Sequence, residues 1–455
     1  MVSNVRLNQQ EIMMVFRTLI VCLLIFTSLG QLCSSCQAET LELEDAVRIA
    51  LSSHQRIQQA QELYSASAAM ATAAHSDRLP SVDFNFSYDH LRDDPTQTLN
   101  GIPVTVNDRD MVHYAISVKQ PLFTGFALST RQKLAELDVD MAAYDLQQAR
   151  RQLALDVNIS ALQLLQIKAT KRVAKRQQEQ FKNHLADVKA AYDQGMVAGN
   201  DRLKAEVALA TADQQLQKVT SQVVMARSRL NLLIGRPQQN PLEIIEPQIV
   251  KQPQQNLTEL INIALQHRPE IHSAKLALTS SGENIRLINS RNYPQVALVA
   301  SYWRDGDDLS TSHNAYSNKD NASIGIHLDW NLFSGGADHA KLAANQHRKR
   351  ARRQALIELQ DMVRLQVEDA FQQLEVASKN QQTAIKAQQQ ARENHRLSIL
   401  QFYENIISTN DLLDAQTLLT RAETNLQAAH YGILLADAQL SFALGKDPLP
   451  DSESN

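Results

Sequence analysis

Cysteine is nearly missing from this chain of 455 residues: its three, Cys22, Cys33 and Cys36, all precede Glu39. A mature chain starting near Glu39 has no thiol, which excludes a disulfide framework, a thiolate nucleophile and a cysteine zinc cluster. Aromatic residues make up only 5%. With Ala, Leu and Gln abundant instead, the composition suits extended helices better than one large globular core. Neither sign of charge dominates; a net charge of -4 and a pI near 6.4 argue against nucleic acid as the main partner. After the first 38 residues no segment reads as a transmembrane helix, but this does not exclude the membrane, because barrel strands leave only a weak hydropathy signal. A phosphate-binding loop is also lacking, so ATP use by this chain is not expected.

Residues 1–38 read as a signal peptide. Arg6 and Arg17 precede the apolar run from Leu19 to Phe26, and Cys36-Gln37-Ala38 offers a small-residue cleavage site before Glu39. The run is short for spanning a bilayer, so export with cleavage is expected rather than an anchor. Met13 or Met14 would give a start with a shorter leader. Lipidation at Cys33 or Cys36 is disfavoured by bulky Leu32 and by a cysteine, not leucine, three positions before Cys36.

What the chain does contain, it contains twice. Ala205, Leu209, Ala212, Leu216, Val219, Val223, Ala226 and Leu230 recur, 210 positions later, as Ala415, Leu419, Ala422, Leu426, Ala429, Ile433, Ala436 and Leu440. Nearer the start of each copy, Ile49, Ala50, Leu51, Ile57 and Ala60 recur 214 positions later as Ile263, Ala264, Leu265, Ile271 and Ala274. Each copy therefore opens with a short helix, a turn and a longer helix, which Pro80 and Pro294 bring to an end. The expected division is a first repeat over 39–236, an inter-repeat segment over 237–259, a second repeat over 260–446 and a polar tail over 447–455.

Four strands are predicted next, two per copy. Val82, Phe84, Phe86 and Tyr88 alternate with polar residues, as do Val112, Tyr114, Ile116 and Val118. The second copy offers Val296, Leu298, Ala300 and Tyr302, then Ala322, Ile324, Ile326 and Leu328. Period-two alternation gives one apolar face and one wet face. A half-buried sheet or soluble sandwich would satisfy it; so would a membrane barrel closed by several copies, since four strands alone would leave amides unpaired in hydrocarbon. The stretches 91–110 and 305–319 are expected as solvent loops, and their aspartates lack EF-hand spacing. Few helix breakers occur over 126–190 and 337–401, so helices of about 90 Å are expected there. The heptad stripes that follow turn back on them as antiparallel coiled coils.

Leu122-Phe123-Thr124-Gly125 and Leu332-Phe333-Ser334-Gly335 each join a second strand to a long helix, and Asn410-Asp411-Leu412-Leu413-Asp414-Ala415-Gln416 marks a helix-helix turn. In this order and duplication, with Leu230 to Gly235 paired with Leu440 to Gly445, the chain resembles the TolC family of bacterial outer-membrane factors from about Leu41 to Lys446. The resemblance implies a mainly α fold with membrane β structure: a homotrimer whose 12-stranded β-barrel, four strands per protomer, continues as a long periplasmic α-helical barrel. It also implies a belt around the tunnel formed by the first helix of each copy, the segment 237–260 and the tail. The implied function is an outer-membrane channel and periplasmic tunnel in tripartite efflux or type I secretion. Partners would be a periplasmic adaptor (membrane fusion) protein, an inner-membrane RND or ABC transporter, outer-membrane lipid, and exported small molecules or proteins.

The site residues expected are Asp411 and Asp414. At i and i+3 they occupy neighbouring positions on one helix face, and the resemblance places acidic rings at the periplasmic entrance. Asp411 could instead cap its helix, and Asp201 could cap the equivalent helix in the first copy. The second copy's turn, Tyr403 to Asp411, lacks the glycine found in the first, so no particular salt-bridge latch is carried over. His113 and His327 fall on polar strand faces without a serine or cysteine nucleophile to complete a mechanism, so no catalytic, cofactor-binding or metal-binding residue is assigned. The competing reading is a non-conducting envelope scaffold or coiled-coil adhesion protein.

Overall fold

The computed structural model describes residues 39–247 and 256–447, apart from Ser317, Lys319 and Asn405. The leader, with its cleavage and lipidation positions, and residues 448–455 of the tail lie outside the described residues.

Helices come in two matched sets. In the first, α1 (Leu43–Ser53) and α2 (Gln55–Ser76) precede α3 (Ala127–Asp193) and α4 (Gly199–Leu233). In the second, α5 (Leu257–His267) and α6 (Pro269–Asn289) precede α7 (Ala337–Tyr403) and α8 (Thr409–Ala443). α3 and α7 have 67 residues each and α4 and α8 have 35 each, so the long pair extend about 100 Å. The short-to-long helix corners rest on one residue apiece. His54 ends α1 and caps α2, its ring accepting the Arg56 N–H at 3.1 Å. Arg268 ends α5 and stands before Pro269, which opens α6 where a missing N–H leaves no bond unmade. α2 and α6 stop at Ser76 and Asn289, a few residues before Pro80 and Pro294.

α3 is the central helix. Nearer the strands the succession is α2, α3, α6, α7; farther away it is α4, α3, α8, α7. Along α4, Ala205, Ala212, Val219 and Ala226 are buried at intervals of seven, while Leu209, Leu216 and Val223 between them are half-buried. Small residues at one seam position and larger ones at the other let the helices approach closely and still interlock. The principal core lies at the middle of α3, where Leu153, Val157 and Leu164 pack with Val47 and Ala50 of α1, Leu230 of α4 and Tyr431 of α8. Beside it, β1 (Glu39–Leu41) pairs in parallel with β6 (Leu242–Ile244), a ladder with no alternating signal long enough to announce it.

β2 (Ser81–His90), β5 (Asp110–Phe123), β7 (Gln295–Gly306) and β8 (Asp320–Asp329) form one antiparallel sheet in the order β2-β5-β7-β8. All four expected strands are present. The loop expected over 91–110 is corrected in part: it contains a hairpin of β3 (Thr96–Leu99) and β4 (Ile102–Thr105). Its turn is Asn100-Gly101, both with positive φ, the geometry that a two-residue hairpin demands.

Candidate functional site

The sheet carries one face on which large apolar side chains stand uncovered. Phe84 is 65% exposed and Ile324 75%, and Val82, Phe86, Tyr88, Ile326 and Leu328 share that exposure. The opposite face is polar, with His113 on β5 bonded across the ladder to Asp305 on β7 at 2.6 Å. His327 is exposed on the same polar pattern. Among the described residues, β2 and β8 each have one edge without a ladder partner. No helix of the described residues is long and apolar enough to cross a membrane. Strands of 10 to 14 residues, rising about 3.4 Å per residue, are long enough to do so when tilted.

Each long helix starts from a glycine corner. Gly125 and Phe126 both take left-handed backbone, as do Gly335 and Gly336. The first corner is filled: a side chain on Gly125 would run into the Ser290 carbonyl and lie 2.7 Å from Tyr293 Cβ. Phe126 lies edge-on to both Phe123 and Tyr293. The second corner is open. A side chain on Gly335 would meet nothing within 4 Å, and Phe333 is 86% exposed.

The far end of the helices holds the two expected acidic residues. Ser408 is the N-cap of α8, and Asp411 closes a capping box with it: Ser408 N–H and Oγ–H donate to Asp411 Oδ2 at 2.9 and 2.7 Å. The Asp411 N–H donates back to Ser408 Oγ. Those hydrogen bonds hold the Asp411 carboxyl below its ordinary range. Asp411 thus supports the cap from the third helical position. Asp414 is exposed and makes no hydrogen bond or ion pair among the described residues. In the first copy, Asp201 is not the N-cap: Ala198 holds that position, and Asp201 pairs with Lys204 at 3.5 Å.

Contacts that sequence reasoning did not single out join α3 to α7 at this end. Tyr403 Oη donates to Asp187 at 2.9 Å, and Phe402 sits edge-on to His184, 5.3 Å between ring centres. Further along, Glu423 on α8 bridges Arg176 on α3 (2.8 Å) and Arg392 on α7 (3.7 Å). At the opposite end of α8, two buried guanidiniums receive its last carbonyls. Arg151 donates to Phe442 and Lys446, and Arg268 to Ala443 at 2.6 Å. Glu270 lies 3.2 Å from Arg268 and 3.9 Å from Arg151. Burial lowers both arginine pKa values and Glu270 opposes it. Cations at a helix C-terminus meet its unpaired carbonyls and the negative end of its dipole. Nothing local in the sequence marks Arg268, because its role depends on a helix 175 positions away.

A four-stranded sheet with an apolar face and open edges, continued by helices about 100 Å long, fits an outer-membrane channel protein with a periplasmic extension. The chain belongs to the outer membrane efflux protein family, whose model matches residues 46–236 and 260–446. It lies in the bacterial outer membrane with a periplasmic part, as a channel component of tripartite efflux or type I secretion. The family is one of channels, not enzymes. Outer membrane efflux protein BepC of Brucella suis is 22% identical over 72% of each chain. Alkaline protease secretion protein AprF of Pseudomonas aeruginosa is 24% identical over 90% of this chain and 85% of its own. Among solved structures, the outer-membrane channel OprN superposes with a TM-score of 0.77 at 20% identity, covering 90% of this chain and 91% of OprN. VceC of Vibrio cholerae gives 0.77 at 16% identity, covering 89% and 96%.

Proposed function

We propose that three copies of the chain close a 12-stranded barrel and a continuous helical tunnel. Through it, cargo crosses passively after delivery by an energised inner-membrane RND or ABC transporter and a periplasmic adaptor. The observation that carries this reading is the pair of open strand edges flanking an uncovered apolar face. In hydrocarbon those edges need partners. Two copies would give eight strands, whose interior side chains fill; three give twelve and leave a lumen lined by the polar face.

The internal repeat supplies the register of closure. Both hairpins pair alike: Ser81 with Lys119 and Gln295 with Asp329, the same pair 214 and 210 positions on. If the β5–β7 ladder is repeated between β8 of one copy and β2 of the next, its pairs Val118–Ala300 and Ile116–Tyr302 become Leu328–Phe86 and Ile326–Tyr88. Apolar residues then meet on one face. The open Gly335 corner would likewise receive Ser76 and Leu79 of the next copy, the counterparts of Ser290 and Tyr293.

The repeats would span 39–236 and 260–446, with 237–259 in a belt around the tunnel. BepC is named for efflux and AprF for protease secretion, and both kinds of cargo, small molecules and proteins, suit a passive conduit. Asp411 and Asp414 would bring six carboxylates to the periplasmic entrance, where Asp411 combines a capping bond with its charge. The test is native mass of the purified protein with single-channel recording in planar bilayers, beside Asp411→Asn/Asp414→Asn. A conducting trimer whose cation preference falls in the variant is expected. A folded trimer that never conducts would leave a scaffold, and an unchanged preference would remove the acidic pair from the path.

A further inference from the structure

His184 has no part in the reading above, yet its setting is unusual. It stands on α3, 7% exposed, beside Leu185 of the small apolar cluster that also holds Val188 and Ala205 and against which Leu209 and Phe402 pack. Its Nε2 is buried and has no hydrogen-bond partner. Its ring meets that of Phe402, the penultimate residue of α7, in an edge-to-face contact. One turn further along α3, Asp187 accepts the hydrogen bond from the neighbouring Tyr403. A single turn of α3 therefore holds the end of α7 by two adjacent aromatic side chains, one on a titratable ring.

Besides Lys182 on α3 and Asp213 on α4, which meets Gln178 of α3, each element packed at this end brings charged or titratable groups. α3 contributes Asp187 and Lys189, α4 contributes Glu206 and Arg202, and α7 contributes Tyr403. α8 brings Asp411 and Asp414 to this end, both on its exposed face. Lys189 and Glu206 pair with each other at 3.6 Å, and Arg202 lies over the Tyr192 ring. Of them all, only Asp187 favours a charged His184; burial acts the other way and is the larger influence, so the pKa lies below 6.5.

We propose that His184 is a proton-operated latch on the end of α7, releasing the entrance of the tunnel when the surrounding pH falls. This rests on the channel reading. The neutral ring tolerates burial without a partner, whereas an imidazolium there does not. On protonation the carboxylate that acts on the ring is that of Asp187, and turning toward it competes with Tyr403 for that acceptor. Turning instead toward water removes the seat of Phe402. Either movement frees the last turn of α7. The sign follows: a histidine with a lowered folded-state pKa holds the docked state fully above 6.5, and that contribution is lost as pH falls below it. One proton taken up on release shifts the docking equilibrium by up to about tenfold per pH unit.

The experiment compares wild type, His184→Phe and His184→Gln as full trimers, their assembly checked by native mass, between pH 7.5 and 5.0. Two quantities are read: hydrogen exchange over residues 400–404, corrected for intrinsic rate, and open probability in planar bilayers. In wild type, exchange and opening are expected to rise together and reversibly, approaching tenfold per unit, while both variants stay flat. Wild-type exchange that does not change with pH, or a variant that keeps the wild-type dependence, overturns the latch. Conduction without pH dependence would refute the latch and spare the channel; pH-dependent exchange in a trimer that never conducts would refute the channel and spare the latch.

Discussion

At the scale of single residues, Gly125 and Gly335 occupy equivalent corners with nearly the same backbone, φ +60 and +62, but different surroundings. Alanine at either position meets the left-handed backbone cost of about 1–2 kcal/mol. Gly125→Ala also forces its new methyl into the end of α6, adding roughly 1–3 kcal/mol of overpacking. Gly125→Ala should therefore lower the unfolding midpoint of the subunit itself. Gly335→Ala should leave the subunit folded and reduce the trimer fraction, because in the proposed closure its neighbour belongs to another copy. Equal effects on subunit melting, with assembly untouched, would contradict the proposed closure. The same scale shows where local reading runs out. The pattern around Asp411 identified a helix start but not which residue capped it, since Ser408 and Asp411 divide that task and only geometry separates their parts. Arg151 and Arg268 are ordinary helix and turn arginines in one dimension. They become anchors only when the end of α8 arrives from a remote part of the chain.

Elements were the most legible scale. All four sheet strands and both 35-residue helices follow from periodicity because each presents a regular apolar face or stripe, and a regular demand leaves a regular trace in sequence. The 67-residue helices follow from the scarcity of breakers along them. β1 and β6, three residues each, are too short for a trace. The β3–β4 hairpin did leave one, Asn100-Gly101 between β-prone residues, obscured by the polar residues around it. The coiled-coil seam yields its own prediction. Ala212 on α4 is buried where α4 crosses α3, and its spacing with Ala205 and Val219 requires a small side chain. Ala212→Leu should destabilise the subunit by about 1–3 kcal/mol, seen as a lower denaturant midpoint. The matching exposed change, Leu203→Ala, should stay within about 0.5 kcal/mol. A larger effect from the exposed position would mean that α4 is seated on another face.

For the whole molecule, the missing thiols become an experimental asset. With no cysteine after Cys36, a pair introduced at Leu328 and Phe86 would be the only one beyond that position. Directly opposed residues on antiparallel strands have Cα atoms about 4.5–5.5 Å apart, within the span a disulfide bridges. Leu328→Cys/Phe86→Cys should give a covalent ladder up to trimer on a denaturing gel. Leu328→Cys/Tyr88→Cys, displaced by two residues, should cross-link far less. The reverse preference would refute the proposed register while leaving a barrel in place. This scale was the least legible from within one chain: composition and period disclose an open sheet, whereas the number of copies that closes it is a property of the assembly.

The matched lengths of α3 with α7 and α4 with α8 carry a consequence for evolution. A wall of parallel staves can be shortened only if every stave is cut alike, and a coiled-coil seam accepts cuts only in whole heptads without turning its faces. Removing seven residues from one stave would leave the rim uneven and rotate nothing; removing three would rotate that stave out of the wall. The distance spanned below the membrane is therefore adjustable in steps of about 10 Å. Each step must be taken in both halves of the gene at once, so the duplicated gene has to change its ruler by concerted edits.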